Sequence, residues 1–259
     1  MAAASQTKRT TRRINAFPPP GEGVSMTQLA TDFHESLKKM CSEADRTPIG
    51  EGIPAQGEKV IVVGDQSVGK TSLIRRFCEG DFANKYKATV GVDFVYQKYK
   101  ILNQDFTLHI WDTAGQEQFR CISRSYFRGA AATILCFDLS RPSSFENCSL
   151  WVNEVLQEVE LGHKIFLAGL KGDLKHAVDH STVKRWATEI GAEYWEVSAK
   201  EDHNVERLFD RVAVALFEQS MIVFQQKAKA KANSSNDSPF RAKENTQSKS
   251  AEGRGYCCS

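Results

Sequence analysis

The sequence predicts an α/β fold: a six-stranded, mostly parallel sheet with one antiparallel strand and helices on both faces. Three observations carry that expectation. From Lys59 onward, apolar runs of strand length alternate with helical stretches. The run Val60-Ile-Val-Val63 leads straight into Gly64-Asp-Gln-Ser-Val-Gly-Lys70-Thr71, which fits G-x-x-x-x-G-K-[ST]. A loop of that kind, between a buried strand and a helix, turns backbone N–H groups inward onto a phosphate chain. Further polar motifs follow at the carboxyl ends of later apolar runs, where ligands bind on open parallel sheets.

The elements read as follows. Residues 1–24 open with Lys8-Arg9 and Arg12-Arg13, end in Pro18-Pro-Pro20 and hold no acid before Glu22. They superficially resemble a mitochondrial transit peptide but read as a solvated, disordered basic arm. Residues 25–46 carry Met26, Leu29, Phe33, Leu37 and Met40 at helical spacing, with Ser25 and Gln28 able to form a capping box. That helix either lies on the core or detaches to bind a partner. Strands are expected near 59–63, 92–101, 104–111, 132–138, 164–169 and 193–197. The pair meeting at Asn103 should be an antiparallel hairpin, and the others have crossover-length connections that make them parallel. The last helix places Val205, Leu208, Phe209, Val212 and Leu216 on one stripe. After about Gln225 the chain turns to Lys, Ala, Ser and Asn, with seven basic residues against three acids, and reads as a flexible, weakly basic tether. The organisation expected is an extension over 1–57, a nucleotide-binding domain over 58–225 and a tail over 226–259.

Composition excludes several classes. A 41% hydrophobic and 25% charged chain is ordinary for a globular protein, and a net charge of +2 gives no global attraction to nucleic acid. No apolar run approaches the ~20 residues a membrane helix takes. The seven cysteines include no CxxC pair, so neither zinc nor a redox motif is indicated; Cys78 and Cys136 lie in apolar runs and read as core thiols. His176 and His180 stand four apart, a spacing that could put two ligands on one helix face, but no third ligand is evident.

In the phosphate loop, Gly64 and Gly69 supply backbone freedom, and Gln66, Ser67, Val68 and Ser72 contribute backbone to the cradle. Lys70 reaches the terminal phosphates, and Thr71 offers its hydroxyl to Mg²⁺. Asp112-Thr-Ala-Gly-Gln116 ends the run Leu108-His-Ile-Trp111: Asp112 can hold Mg²⁺ through water, the Gly115 N–H can approach a terminal phosphate, and Gln116 can orient an attacking water. Lys171-Gly-Asp173 follows Ile165-Phe-Leu-Ala-Gly169. The Asp173 carboxylate would accept from the guanine N1–H and amino group, which selects guanine because adenine presents the opposite pattern. Ser198-Ala199-Lys200 would close the base pocket.

Over roughly residues 58–225 the chain resembles the Rab family of small GTPases, in the Ras superfamily. Beyond the nucleotide motifs, Val90-Gly-Val-Asp-Phe94, Gln118-Phe-Arg-Cys-Ile-Ser123, Tyr126-Phe-Arg-Gly-Ala130 and Ile134-Leu-Cys-Phe-Asp-Leu-Ser140 resemble segments that mark Rabs. Tyr86–Phe94, Glu193–Glu196, the N-terminal extension and the Cys-Cys-X ending look most like the Rah-like subgroup, associated with the Golgi, macropinosomes, lysosome positioning and cilia. The resemblance implies the P-loop GTPase fold, Mg²⁺ and GTP or GDP as ligands, and a switch regulating vesicle traffic. It implies that Phe82 stacks on guanine, that Tyr86 folds over the phosphates, and that Thr89 binds Mg²⁺ and the γ-phosphate. Phe94, Trp111 and Tyr126 would face effectors. Other implied partners are an exchange factor, a TBC-type activating protein, an escort protein and a dissociation inhibitor. No cis arginine stands out, so intrinsic hydrolysis should be slow, on the order of 10⁻⁴ s⁻¹.

Two departures stand against this pattern. Leu170 replaces the usual Asn before Lys171, and a lost buried hydrogen bond is worth ~1–3 kcal/mol. Gln66 and Ser67 stand where typical Rabs have Ser and Gly. They leave a runner-up reading, a non-cycling scaffold that holds nucleotide weakly or permanently. Tyr256-Cys-Cys-Ser259 lacks the C-a-a-X spacing but resembles the double-cysteine endings geranylgeranylated on Rabs, which makes Cys257 and Cys258 the expected lipid sites. The expected location is the cytoplasmic face of Golgi or endolysosomal membranes, with a cytosolic pool.

Overall fold

The computed structural model describes residues 11–15, 41, 57–82, 89, 91–114 and 125–236. The expected helix over 25–46, apart from helical and buried Cys41, lies outside the described residues, as does the tail beyond 236. The chain divides into two compact units, 1–222 and 223–259, and the whole sheet belongs to the first.

The strands are β1 (Arg12–Ile14), β2 (Gly57–Val63), β3 (Val92–Ile101), β4 (Gln104–Thr113), β5 (Ala132–Asp138), β6 (Lys164–Leu170) and β7 (Glu193–Glu196). The helices are α1 (Lys70–Glu79), α2 (Pro142–Glu146), α3 (Cys148–Leu156), α4 (His180–Glu189) and α5 (Val205–Asn236). Among the described residues the sheet has seven strands, in the order β1-β3-β4-β2-β5-β6-β7. The fold class holds, and the strand count is corrected from six to seven.

β2, β5 and β6 are near-continuous apolar runs covered on both faces, as parallel strands between helical layers must be. β4 alternates instead, burying Phe106, Leu108 and Ile110 while its other face is half-covered. β3 and β4 form the expected hairpin, and both Leu102 and Asn103 have positive φ (47° and 66°). Two such residues make the tight turn whose twist matches that of the flanking strands. One apolar cluster unites Leu73 and Phe77 of α1 with Val205, Leu208, Phe209, Val212 and Leu216, the whole predicted stripe of α5. Phe77 and Phe209 stack with centroids 4.0 Å apart. A second cluster on the opposite face joins Trp151 and Val155 of α3 to Val183 and Ala187 of α4. Cys136 is buried as expected, while Cys78 is only partly buried against the first cluster.

Three sequence expectations are corrected. Within the supposed solvated arm, Arg12–Ile14 forms an edge strand parallel to β3, and Leu102 N donates to the Ile14 carbonyl. Ile14 is buried, and the Arg12 guanidinium donates to Asp210 (3.0 and 3.2 Å) and Glu206 (2.7 Å) on α5. Ladder bonds and ion pairs with acids far along the chain make this strand, so no apolar periodicity announces it. At the other end, the helical backbone continues to Asn236, past the composition change at Gln225. Finally, His176 lies in the loop before α4, so it shares no helix face with His180.

Arg211 of α5 makes a bidentate pair with Glu193 of β7 (2.7 and 3.0 Å), and both side chains are largely buried. Removing Arg211 takes its bidentate partner from a largely buried carboxylate, which is strongly destabilising. Arg211→Met is therefore expected to destabilise the protein by about 3 kcal/mol, read from the urea unfolding midpoint at constant slope. A shift under about a quarter of that would mean that the remaining contacts of Glu193, or water, compensate its charge.

Candidate nucleotide site

The polar motifs all emerge from one edge of the sheet. Residues 64–69 connect β2 to α1, Asp112 and Thr113 end β4, Asp138 ends β5, Leu170 ends β6, and Ser198 follows β7. Parallel β2, β4, β5, β6 and β7 must deliver their carboxyl ends to the same side, so the register collects these residues.

The phosphate loop lies tight against β5. Gly64 has φ 137°, and a Cβ there would sit 2.1 Å from the Cys136 carbonyl oxygen, so no side chain fits. Val68 is fully buried. Lys70 begins α1 and is buried; its Nζ donates to the carbonyls of Gly64 (2.6 Å) and Asp65 (2.8 Å), and burial pulls the ammonium below its ordinary pKa. Gly69, at φ 114°, precedes the helix. The loop is held from outside by residues the sequence motifs did not flag. The Asp65 carboxylate accepts from Asn147 Nδ2 (2.8 Å) and Trp151 Nε1 (2.9 Å), and the Gln66 carbonyl accepts from Arg141 Nη2 (2.9 Å).

Thr71, Thr89 and Asp112, the three expected Mg²⁺ residues, converge. Thr71 Oγ1 donates to Asp112 Oδ2 at 2.7 Å and lies 2.6 Å from Thr89 Oγ1. Asp112 Oδ1 is buried with no hydrogen-bond partner. Burial pushes the Asp112 carboxyl up to about 6, against the pull of the Thr71 hydrogen bond. An orphaned buried carboxylate oxygen is costly. Two hydroxyls and a carboxylate, all hard oxygen donors, fit Mg²⁺. Of the other expected phosphate-side residues, Tyr86, Gly115 and Gln116 lie outside the described residues.

At the base end, Lys171 takes a positive φ of 61°, and its Nζ donates to Asp138 Oδ2 at 2.6 Å. Burial raises the Asp138 carboxyl, but hydrogen bonds from Lys171 and Ser140 bring it below its ordinary value. Asp173 accepts from Ser198 Oγ (2.7 Å), with Lys200 Nζ 3.5 Å away. Its pKa is lowered although partial burial works the other way, because those contacts favour the carboxylate. Arg76, also unflagged by any motif, donates to the carbonyls of Ala199 (2.7 Å) and Lys200 (3.1 Å), and its guanidinium carbon lies 5.9 Å from the Phe82 ring centre. The expected base-pocket residues thus come together. Leu170, in place of the usual Asn, is buried at the end of β6. Only 3% exposed, it packs toward the phosphate loop, with Cδ1 3.6 Å from where a Gly69 Cβ would lie.

Phe94, Trp111 and Tyr126 form a contiguous aromatic run, with centroids 5.6 and 6.0 Å apart. Phe94 is 55% exposed, so the run is a surface feature. Lys59 Nζ lies 4.0 Å from the Trp111 ring centre and donates to the Arg128 carbonyl, pinning the middle ring.

Residues 59–218 match the Ras family. Human Ras-related protein Rab-36 is 41% identical over 216 residues, covering 82% of this chain and 79% of that protein. Mouse Ras-related protein Rab-34 is 42% identical over 205 residues (77% and 78%), and Ras-related protein Rab2BV of Beta vulgaris is 32% identical over 204 (78% and 94%). The chain is a Rab-family small GTPase. It thereby belongs to a family of GTPases that bind GTP and GDP with Mg²⁺ in general. Among its described residues no helix is long and apolar enough to cross a membrane.

Trp151 Nε1 is one of two side-chain donors on the Asp65 carboxylate. Trp151→Phe keeps the ring and deletes that donor. A hydrogen bond to a charged group contributes ~1.5–3 kcal/mol, so release of a fluorescent GDP analogue should accelerate about tenfold. An unchanged release rate would show that the Trp151 donor is dispensable beside the loop's other contacts, Asn147 and Arg141 among them.

Proposed function

We propose that this Rab-family GTPase is a membrane-recruited switch regulating vesicle traffic, and that it binds effectors in the GTP state. The observation that carries the reading is the meeting of Thr71, Thr89 and Asp112. Thr89 belongs to the connection between α1 and β3, yet its hydroxyl reaches the first turn of α1. A ligand drawing on Thr71 and Thr89 together ties that connection to the phosphate loop, and loss of the γ-phosphate releases it. The aromatic run on β3 and β4 lies directly downstream of the connection, which supports Phe94, Trp111 and Tyr126 as the surface through which effectors read the nucleotide state.

In the proposed reaction, the backbone N–H groups of residues 66–71 and Lys70 hold the phosphates, and Lys70 neutralises charge developing on the transferred group. Asp173 selects guanine, Ser198-Ala199-Lys200 close the base pocket, and Phe82 covers the base. Gln116 orients the attacking water in line. The Thr71 and Thr89 hydroxyls and, through water, Asp112 would hold Mg²⁺, which when bound would supply further neutralisation of phosphate charge. Intrinsic turnover is slow, and a TBC-type partner accelerates it by contributing an arginine. The domain spans 58–225 with the extension 1–57 before it and the tail 226–259 after it. Prenyl groups on Cys257 and Cys258 hold the protein at the cytoplasmic face of Golgi or endolysosomal membranes, and a dissociation inhibitor maintains the cytosolic pool. Two chains are needed because one binds a membrane only marginally.

Thr71→Asn removes a cation ligand and should abolish GTP-dependent effector capture while GDP binding persists. Single-turnover hydrolysis on the purified protein, with analysis of the bound nucleotide, separates the switch from a non-cycling scaffold. A parent protein that holds GTP unhydrolysed even with an activating partner present would support the scaffold and sink the switch. Changing Cys257 and Cys258 together to Ser should move the protein to the cytosolic fraction with guanine-nucleotide binding intact. Persistence in a high-salt membrane pellet would point to another anchor.

A further inference from the structure

We propose that Arg141 is a positioning residue that locks the Gln66–Ser67 peptide of the phosphate loop, and so keeps the Ser67 N–H turned into the cradle. The inference rests on reading residues 64–71 as the phosphate site.

Ser67 has φ 63°, in the left-handed region. A residue with a Cβ is strained there, and the strain has one cheap escape. The 66–67 peptide can rotate by half a turn, which carries Ser67 φ into the extended region. Because the peptide is planar and trans, the Gln66 carbonyl and the Ser67 N–H point to opposite sides of it and rotate together. Rotation would swing the carbonyl inward, toward the phosphates, and the N–H outward. A donor of the cradle would become an acceptor facing an anion.

Arg141 opposes that rotation. Its Nη2 donates to the Gln66 carbonyl at 2.9 Å, and a charged donor makes a stronger bond than a neutral one. The arm stands on a fixed base. Arg141 N donates to the Asp138 carbonyl (2.9 Å), and its own carbonyl accepts from Ser144 N (3.0 Å) and Ser144 Oγ (2.7 Å). Its Nε is buried without a hydrogen-bond partner, so the inner end of the guanidinium is held against protein while Nη2 meets the Gln66 carbonyl at the surface. The neighbouring residue is held from the same side, since Asp65 is gripped by Asn147 and Trp151. Consecutive loop residues are thus fastened by one segment, residues 141–151, and the fastening at 66 falls on the peptide that strain would turn.

The test is the release of a fluorescent GDP analogue from the full-length protein, measured for Arg141→Met in two backgrounds, the parent and Ser67→Gly. Glycine populates both signs of φ about equally, so in that background there is no strain for rotation to relieve. Loss of Arg141 should accelerate release about tenfold in the parent and less than about threefold in the Ser67→Gly background. Should Arg141→Met not fold, Arg141→Lys in the same two backgrounds gives the same ordering with smaller factors. Equal acceleration in both backgrounds would mean lost packing or charge and overturns the lock; so does no acceleration in either. Lys70→Ala runs alongside. If it binds the analogue as tightly as the parent, the phosphate-site reading fails; if it loses binding while the two Arg141 effects are equal, the lock alone fails.

Discussion

Five mutually parallel strands, three of them covered on both faces, impose the constraint on which the rest depends. A strand covered on both faces has no solvent for its backbone groups, so its polar groups must be satisfied along the ladder until the strand ends. In β2, β4, β5, β6 and β7 the ladder ends on one side of the sheet. Chemistry-bearing residues therefore emerge together there: Gly64 to Lys70, Asp112, Asp138, Lys171 to Asp173 and Ser198. The register, by pairing Asp138 with Leu170 and Val62 with Asp112, converts motifs far apart in the chain into neighbours.

Motif residues hold one another only in part, as Thr71 does Asp112 and Ser198 does Asp173. Around them stands a second tier of ordinary residues with specific contacts. Trp151 and Asn147 grip the phosphate loop at Asp65, Lys171 is drawn to Asp138, and Arg76 ties the end of α1 to Ala199 and Lys200. Each contact joins a side chain on one element to a loop leaving another, so each fixes a loop that would otherwise be free to open. Leu170 stands beside this tier, contributing packing toward Gly69 where the usual Asn would offer a hydrogen bond.

The N-terminal edge shows the same economy with different forces. β3 would otherwise be an exposed edge, and β1 covers part of it through ladder bonds at residues 12–14. Arg12 secures that strand to Glu206 and Asp210 on α5. Residues near the start of the chain and the first part of α5, up to Ile222, are thereby in one compact unit.

The phosphate loop, the strand positions, the hairpin at Asn103, the buried stripe of α5 and membership of the Rab family were legible in the residues, because they rest on local spacing: period two, period 3.6, and glycines with a lysine at set intervals. What the residues could not disclose is whatever depends on partners distant in sequence. The strand at Arg12–Ile14 exists because of Tyr99, Lys100 and Ile101 and of acids some two hundred positions away. The roles of Arg76, Arg141, Asn147 and Trp151 are invisible in their own neighbourhoods, since an arginine on a helix or a tryptophan in an apolar stretch carries no mark of the carbonyl or carboxylate it will meet. The contact of Leu170 with Gly69 likewise arises only when β6 is laid beside β5 and β2. Local pattern determined the elements and the chemistry each could bear; tertiary structure decided which groups meet, because contact across the fold is set by sheet register and packing rather than by spacing along the chain.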